Sequence, residues 1–398
     1  MPQRMLSLVA LALFLGMTLW FSATAASPRI AAEFSLTESS TAWLTMAVQG
    51  GFVIGTLISA LLNLADVVNA RRLFAAGCAL GAMANASIAY ANDTTTIIGL
   101  RWCTGAALAC VYPPGMKLAA GWFLERRGTA LGILVGAVGL GSAFPHLLAW
   151  TAADVSWRTL MVSSSLLALC GGAIVGLFVK DGPHVAPSAP FDAHAVGAVI
   201  RNRAVRLSTF GYLGHMWELY AMWTWMPAFA AASLHAGGYP SAGTASLIAF
   251  AAIASGAAGC VLAGIWADRW GKARIARLAL LTSAFCSGAA GIFYGAPIAA
   301  LLLLAIVWGF SIVADSAQFS TLVTEHSART HVGTALTLQI CAGFLLTMVS
   351  MRAVPLLAAS FGWQWVFLLL VPGPLLGAWA MRRLETCSTS PTARSAAL

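Results

Sequence analysis

Gly264-Ile265-Trp266-Ala267-Asp268-Arg269-Trp270-Gly271-Lys272 puts a short charged knot between two apolar runs, 243–266 and 275–294. The knot is too brief to separate domains and too charged to continue either run. The same alternation extends in both directions from it. Apolar runs cover 5–27, 42–64, 72–91, 96–118, 128–151 and 159–179, and then 208–232, 297–322, 333–357 and 363–381 besides the two already named. Each is close to the ~20 residues that a helix needs to cross a bilayer. Hydrophobic residues make up 60% of the 398-residue chain and charged residues only 9%, against about 25% charged in soluble domains. So few charges cannot cover a water-facing surface, so apolar side chains must meet lipid. The reading is an all-α membrane protein of twelve transmembrane helices.

Charge placement predicts orientation. One set of alternate loops holds Arg71 and Arg72, Arg126 and Arg127, Arg201, Arg203 and Arg206, Arg269 through Arg277, Arg329, and Arg382 and Arg383. The other holds Arg29 and Arg158 beside Glu33, Glu38, Asp93 and Asp154. Lys and Arg accumulate on the cytoplasmic side, which places both termini in the cytoplasm and demands an even number of spans. The predicted parts are an N-terminal six-helix bundle (1–180), a cytoplasmic linker (181–207) with Pro183, Pro187 and Pro190, a C-terminal bundle (208–383) and a cytoplasmic tail (384–398). The net charge of +9 is spread through these loops rather than gathered on one polar module, so nucleic acid is not an expected partner. At the N-terminus, Arg4, an apolar run and Ala23-Thr24-Ala25 imitate a cleavable leader, but the run is long enough to span and reads as the first helix. The eight cysteines show no CxxC or Cys/His spacing, so neither zinc nor a disulfide framework is expected.

The halves repeat. Asp66 before Arg71 and Arg72 is echoed by Asp268 before Arg269 and Lys272. Gly128-Thr129-Ala130-Leu131 returns as Gly333-Thr334-Ala335-Leu336, and Trp157 as Trp363. Parallel repeats of this kind place a substrate site at their interface near the bilayer midplane. Over almost its whole length the chain resembles the major facilitator superfamily. Its G-x-x-x-D-R-x-G-R/K loop stands nearly complete at Gly264–Lys272 and degraded around Asp66, Arg71 and Arg72. Arg101 with Gly105 is similar to the family's fourth-helix R-x-x-x-G element, and Gly132, Gly136, Gly139, Gly141 and Pro145 to its glycine-rich fifth helix. The resemblance implies two pseudo-symmetric six-helix bundles rocking about a central site. Tyr112-Pro113-Pro114-Gly115-Met116-Lys117 and Gly214-His215-Met216-Trp217-Glu218-Leu219-Tyr220 resemble the bacterial nitrate/nitrite- or cyanate-type porters. The second-helix arginines that clasp nitrate in that group have no counterpart in 41–63 or 243–267.

Ionisable groups inside a span are costly and mark function by default. His215 and Glu218 are three apart and share a helix face; Asp315 and Gln318 do the same at a similar depth. A carboxylate away from water holds a proton more readily, and histidine titrates near neutrality, so His215, Glu218 and Asp315 are the candidates for proton coupling. The alternative is a buried hydrogen bond bracing the seventh helix on the tenth. Arg101 either receives an anionic substrate or snorkels outward; for Lys117 and Arg352 snorkelling is the simpler reading. Tyr112, beside a Pro-Pro-Gly bend, and Trp217, Tyr220 and Gln318 complete the candidate substrate set. Trp223 and Trp225 fit an interfacial aromatic belt. Asp66, Arg71, Arg72, Gly264, Asp268, Arg269 and Lys272 either latch the cytoplasmic end or serve only as a topology signal. The glycines from Gly132 to Gly141 allow a close approach to the opposing half.

The function expected is secondary transport of a small polar solute, with a small anion favoured, coupled to protons and carried out by a single polypeptide without a cofactor. An exporter of drug-like compounds and a non-transporting sensor are the competing readings. No GxxxxGK[ST] loop or metal-ligand cluster points to an ATP-driven pump or an enzyme.

Overall fold

A computed structural model describes residues 1–123, 127–151, 156–184, 191–240 and 243–388, with side chains except at 65, 66, 127, 128, 387 and 388. Arg126, Asp154, Pro187, Pro190, the tail from 389 and the side chains of Asp66 and Arg127 lie outside the described residues. In chain order the principal helices are α1 (Pro2–Met17), α2 (Glu38–Leu61), α3 (Ala70–Tyr90), α4 (Thr94–Ala120), α5 (Thr129–Thr151), α6 (Trp157–Phe178), α7 (Arg203–Ala236), α8 (Thr244–Trp270), α9 (Lys272–Phe293), α10 (Ile298–His326), α11 (Arg329–Phe361) and α12 (Val366–Thr386). Among the described residues, 10 helices are long and apolar enough to cross a membrane. The other two of the twelve are α1, whose 16 residues are short for a span, and α7, whose 34 residues include Arg203, Arg206, His215 and Glu218.

Interruptions in α1, α4 and α10 bear on the site. α1 stops at Met17 and resumes as Ser22–Ala25 and Ser27–Phe34, where one run, 5–27, was expected. α4 breaks over Ala109–Val111, just before Tyr112-Pro113-Pro114; a proline at the first turn of the resumed helix needs no backbone donor. α10 breaks at Asp315, the equivalent place in the second half. Unwound backbone at membrane depth is tolerated only where protein or a cavity satisfies it, so each break marks a place to look for polar partners.

The repeat is also visible in packing. A Cβ on Gly105 would lie 1.9 Å from the Val48 carbonyl oxygen, and one on Gly309 would lie 1.6 Å from that of Ala252. α4 thus rests directly on the backbone of α2, and α10 on that of α8, in matching register. Between the halves, α5 packs on α8 and α2 on α11. A Cβ on Gly136 would lie 3.3 Å from the Ala257 carbonyl oxygen of α8, so part of the glycine row faces the opposing bundle; Gly141 instead faces Phe14 of α1, and a Cβ on Gly139 would meet nothing within 4 Å.

Candidate functional site between the two halves

The buried Arg101 side chain fills the break in α1. Its Nε donates to the Leu44 carbonyl at 2.9 Å and its Nη1 to the Leu19 carbonyl at 2.9 Å. Nη2 donates to the Trp20 carbonyl, and Nη1 also reaches Asn85 Oδ1 at 3.3 Å and Ser22 Oγ at 3.4 Å. One guanidinium therefore satisfies carbonyls freed by the unwound turn and ties α1, α2, α3 and α4 together. In this arrangement its acceptors belong to the protein, and it neither snorkels nor faces open space.

The clamp fixes the next residues of α1 against the other half. Trp20 packs on Phe52 of α2 with ring centroids 5.1 Å apart, and on Tyr220 of α7 and Phe344 of α11, both at 5.8 Å. Phe21 stacks on Tyr220 at 6.2 Å and meets Trp223 at 5.8 Å and His146 at 6.3 Å. Gln49, three residues before Phe52, accepts from Thr347, three residues after Phe344. Five helices from both bundles thus meet in one aromatic and polar layer. Tyr112, from beyond the break in α4, is partly buried against the apolar core.

A cavity of about 640 Å³ lies on the side of this layer away from the termini. Thr24, Thr45, Ala149 and Thr224 are among its lining residues, with Arg29 and Trp225 farther along. Each of those four stands three or four residues from Trp20, Gln49, His146 or Tyr220 on the same chain segment, about one helical turn. The aromatic layer is therefore the floor of the cavity. Trp223 and Trp225 are only 3% and 4% exposed, so the lipid-facing belt expected for them is not what they form. Trp225 donates to the Met351 carbonyl at 2.9 Å and lines the cavity.

The coupling candidates cluster inside the C-terminal half. His215 Nδ1 and Asp315 Oδ1 are 2.8 Å apart, an ion-pair distance whose angle misses that of a good hydrogen bond, and His215 Nε2 has no partner among the described residues. Glu218 accepts from Trp308 Nε1 at 2.8 Å and from Ser283. Tyr212 stacks on His215 at 6.0 Å, linking the pair to the tyrosines of the interface. Gln318 is buried beyond the break, without a side-chain hydrogen bond among the described residues. Trp217 points away from the interface; its indole donates to the Leu369 carbonyl of α12 at 3.0 Å and covers Gly373. The structure thus places Tyr220 in the interface layer and leaves Trp217 and Arg101 in other surroundings.

At the end bearing the termini, Arg71 pairs with Asp181 at 3.0 Å and donates to the Val179 carbonyl at 3.2 Å, pinning the linker. Lys272 pairs with Glu325 at 2.7 Å. Asp268 and Arg269 are exposed, and a Cβ on Gly264 would meet nothing within 4 Å. At the opposite end, Glu33 accepts from Arg158 at 2.5 and 2.9 Å and from Trp157 at 2.6 Å. These bonds, Arg158 first, hold its carboxyl down to about 2. Arg352 of α11 donates to the Ser39 carbonyl at 2.8 Å, a tie between halves. Trp20, Phe21, Gln49, His146 and Phe344 escaped the sequence reading. For His146 and Gln49 a signal existed, a polar side chain inside the apolar runs 128–151 and 42–64. The aromatic rings carried none, because such rings are ordinary in any span.

Similar proteins agree with this architecture. A curated relative, the hexuronate transporter of Escherichia coli (strain K12), is 23% identical over 94% of this chain and 91% of its own length. The 3-(3-hydroxy-phenyl)propionate transporter of Escherichia coli (strain K12) is 25% identical over 71% of this chain and 66% of its own. The crystal structure of the nucleoside transporter NupG superposes with a TM-score of 0.72, covering 96% of this chain and 99% of that one at 15% identity, a likeness of fold. The model of the Major Facilitator Superfamily matches residues 8–313 and again 209–397, and the chain belongs to that superfamily.

Proposed function

We propose that this multi-pass membrane transporter carries a small organic anion across the bacterial inner membrane by alternating access, coupled to protons. Both termini lie in the cytoplasm in this reading, and one polypeptide suffices. The observation that carries it is the aromatic and polar layer built by both halves at the floor of the cavity, since rocking of the bundles opens that layer from one side or the other. The named relatives carry carboxylates, which favours an organic over an inorganic anion. Arg101 does not supply the counter-charge while its donors hold α1. The anion instead meets neutral donors in the layer.

His215 and Asp315 are assigned to coupling because they sit at the break in α10, behind Tyr212, with one imidazole nitrogen unpartnered. A proton on this pair removes a buried charge, whose desolvation is otherwise costly, and frees the bundle to move. Glu218 is one turn along α7 and stands as the second proton site. Asp268, Arg269 and Lys272, with Asp66, Arg71 and Arg72, are assigned to closing the cytoplasmic end.

Uptake into proteoliposomes with an imposed pH gradient tests the reading. Wild-type protein should accumulate a radiolabelled organic acid, and Asp315→Asn and Glu218→Gln should equilibrate it without accumulation. Accumulation by both variants at the wild-type level would refute coupling through these carboxylates.

A further inference from the structure

The layer beneath the cavity contains a set of polar atoms with no partner among the described residues. They are Trp20 Nε1, Gln49 Nε2, Trp223 Nε1 and both ring nitrogens of His146. Their side chains are 1%, 0%, 3% and 0% exposed in that order. Buried polar groups are normally paired, and leaving one unpaired is costly. Four such side chains from α1, α2, α5 and α7 in one layer require a common explanation.

Three of the four side chains are one-sided, because an indole nitrogen only donates and so does an amide nitrogen, while a neutral imidazole at His146 adds one donor and one acceptor. Gln49 has its oxygen engaged by Thr347, which leaves its NH₂ group over. What is missing is an acceptor. Around these donors stand the rings of Phe21, Phe52, Tyr220 and Phe344, with centroids 4.9 to 6.2 Å apart in the contacts they make with one another. Aromatic faces favour offset or edge contacts with another flat ring.

We infer that the layer is a binding site for a flat-ring carboxylate, whose ring enters between the aromatic side chains while its oxygens take the indole and amide donors. The inference rests on the transport reading and narrows its substrate class. A saturated ring or a sugar acid offers the same carboxylate without the flat face, and a nucleoside brings several donors against the single imidazole acceptor of His146 and no carboxylate for the indole and amide donors. Trp20, Gln49 and His146 lie about one turn below lining residues of the cavity, and Trp223 stands next to the lining residue Thr224, so a solute entering the cavity meets them when the rings part.

Binding of 3-phenylpropionate to the purified full-length chain in detergent, followed calorimetrically without any gradient, tests this. The comparison ligands are 3-cyclohexylpropionate, glucuronate and uridine. The flat acid should bind at least about tenfold more tightly than its cyclohexyl analogue. Trp223→Phe, which keeps an aromatic ring and removes the donor, should weaken it by roughly tenfold, as losing a hydrogen bond to a charged group does. Trp20→Phe should act alike, and if it fails to fold, Trp223→Phe alone decides. Equal binding of the cyclohexyl acid, unchanged affinity in the Trp223 variant, or preference for glucuronate or uridine would each overturn the inference. Tight ring-selective binding without gradient-driven accumulation would uphold this site and sink proton coupling. Accumulation of a different solute class would do the reverse.

Discussion

Replacing Arg101 by Met is the sharpest test of what this side chain does. The substitution keeps an apolar stem of similar reach and removes every donor. The Trp20 carbonyl then loses its partner, the Leu19 carbonyl keeps only the Ser22 hydroxyl at 3.0 Å, and the Leu44 carbonyl loses its second donor inside α2. An orphaned buried acceptor costs about 1–3 kcal/mol, and within a bilayer no water replaces the lost donor. Relief from burying the guanidinium charge offsets part of this, so the net cost for one orphaned and two weakened acceptors is about 2 kcal/mol. For a unit of 150–250 residues, the size of one six-helix half, ~1 kcal/mol shifts the melting temperature by ~2–4 °C. The expected drop is therefore roughly 4–8 °C in detergent. Arg101→Lys should recover only part, because an ammonium is a single point and cannot span carbonyls on two helices. Uptake should fall with stability in both variants, as Trp20 loses its fixed position. If Arg101→Met melted within about 2 °C of wild type while its KM for the transported solute rose, the guanidinium would be a substrate ligand and not a clamp on α1.

Other consequences follow from the geometry. Gly105→Ala drives a methyl into the Val48 carbonyl and should destabilise by about 1–3 kcal/mol, whereas Gly139→Ala, with open space around it, should leave the melting temperature unchanged; equal melting of the two would refute direct backbone packing of α2 on α4. Arg352→Ala removes a tie between α11 and the Ser39 carbonyl, which at ~1 kcal/mol shifts the open and closed populations about fivefold; maleimide labelling of a Thr45→Cys reporter should speed up accordingly, and an unchanged rate would contradict the tie. Glu33 has its carboxyl held down to about 2 by Arg158 and Trp157, so its pairing stabilises fully above the usual carboxylate range and is lost as pH falls towards 2. A small melting deficit of Glu33→Gln at pH 7 should therefore shrink on acidification; a deficit that grew would reverse the sign. The effect is small because both partners are 40% exposed and such pairs are screened by solvent.

Spans were legible in the sequence because lipid imposes a length and an apolar composition on every crossing helix. The repeat could be read because each half must fold under the same constraint, as matched packing at Gly105 and Gly309 shows. The bend in α4 was legible from Pro113-Pro114, since proline acts locally. The break in α1 was not: Thr18-Leu19-Trp20-Phe21 contains no proline or glycine, and its unwinding is made possible by an arginine more than eighty positions away. Asp315 and His215 could be named as ionisable groups at similar depth on two spans, but which of their neighbours each one faces depends on how the two helices are rotated against each other.

By itself the sequence determined the membrane-embedded helices, their pairing into two halves and the short set of ionisable residues, because composition, period and charge are properties that each segment carries alone. Only the tertiary structure decided that Arg101 clamps backbone, that Trp217 faces α12 while Tyr220 faces the other half, and that four buried donors converge beneath a cavity. Those outcomes depend on which face of each helix meets which neighbour. That is set by close packing across both bundles, where a rotation of one helix by a single residue, about 100°, exchanges lipid for protein.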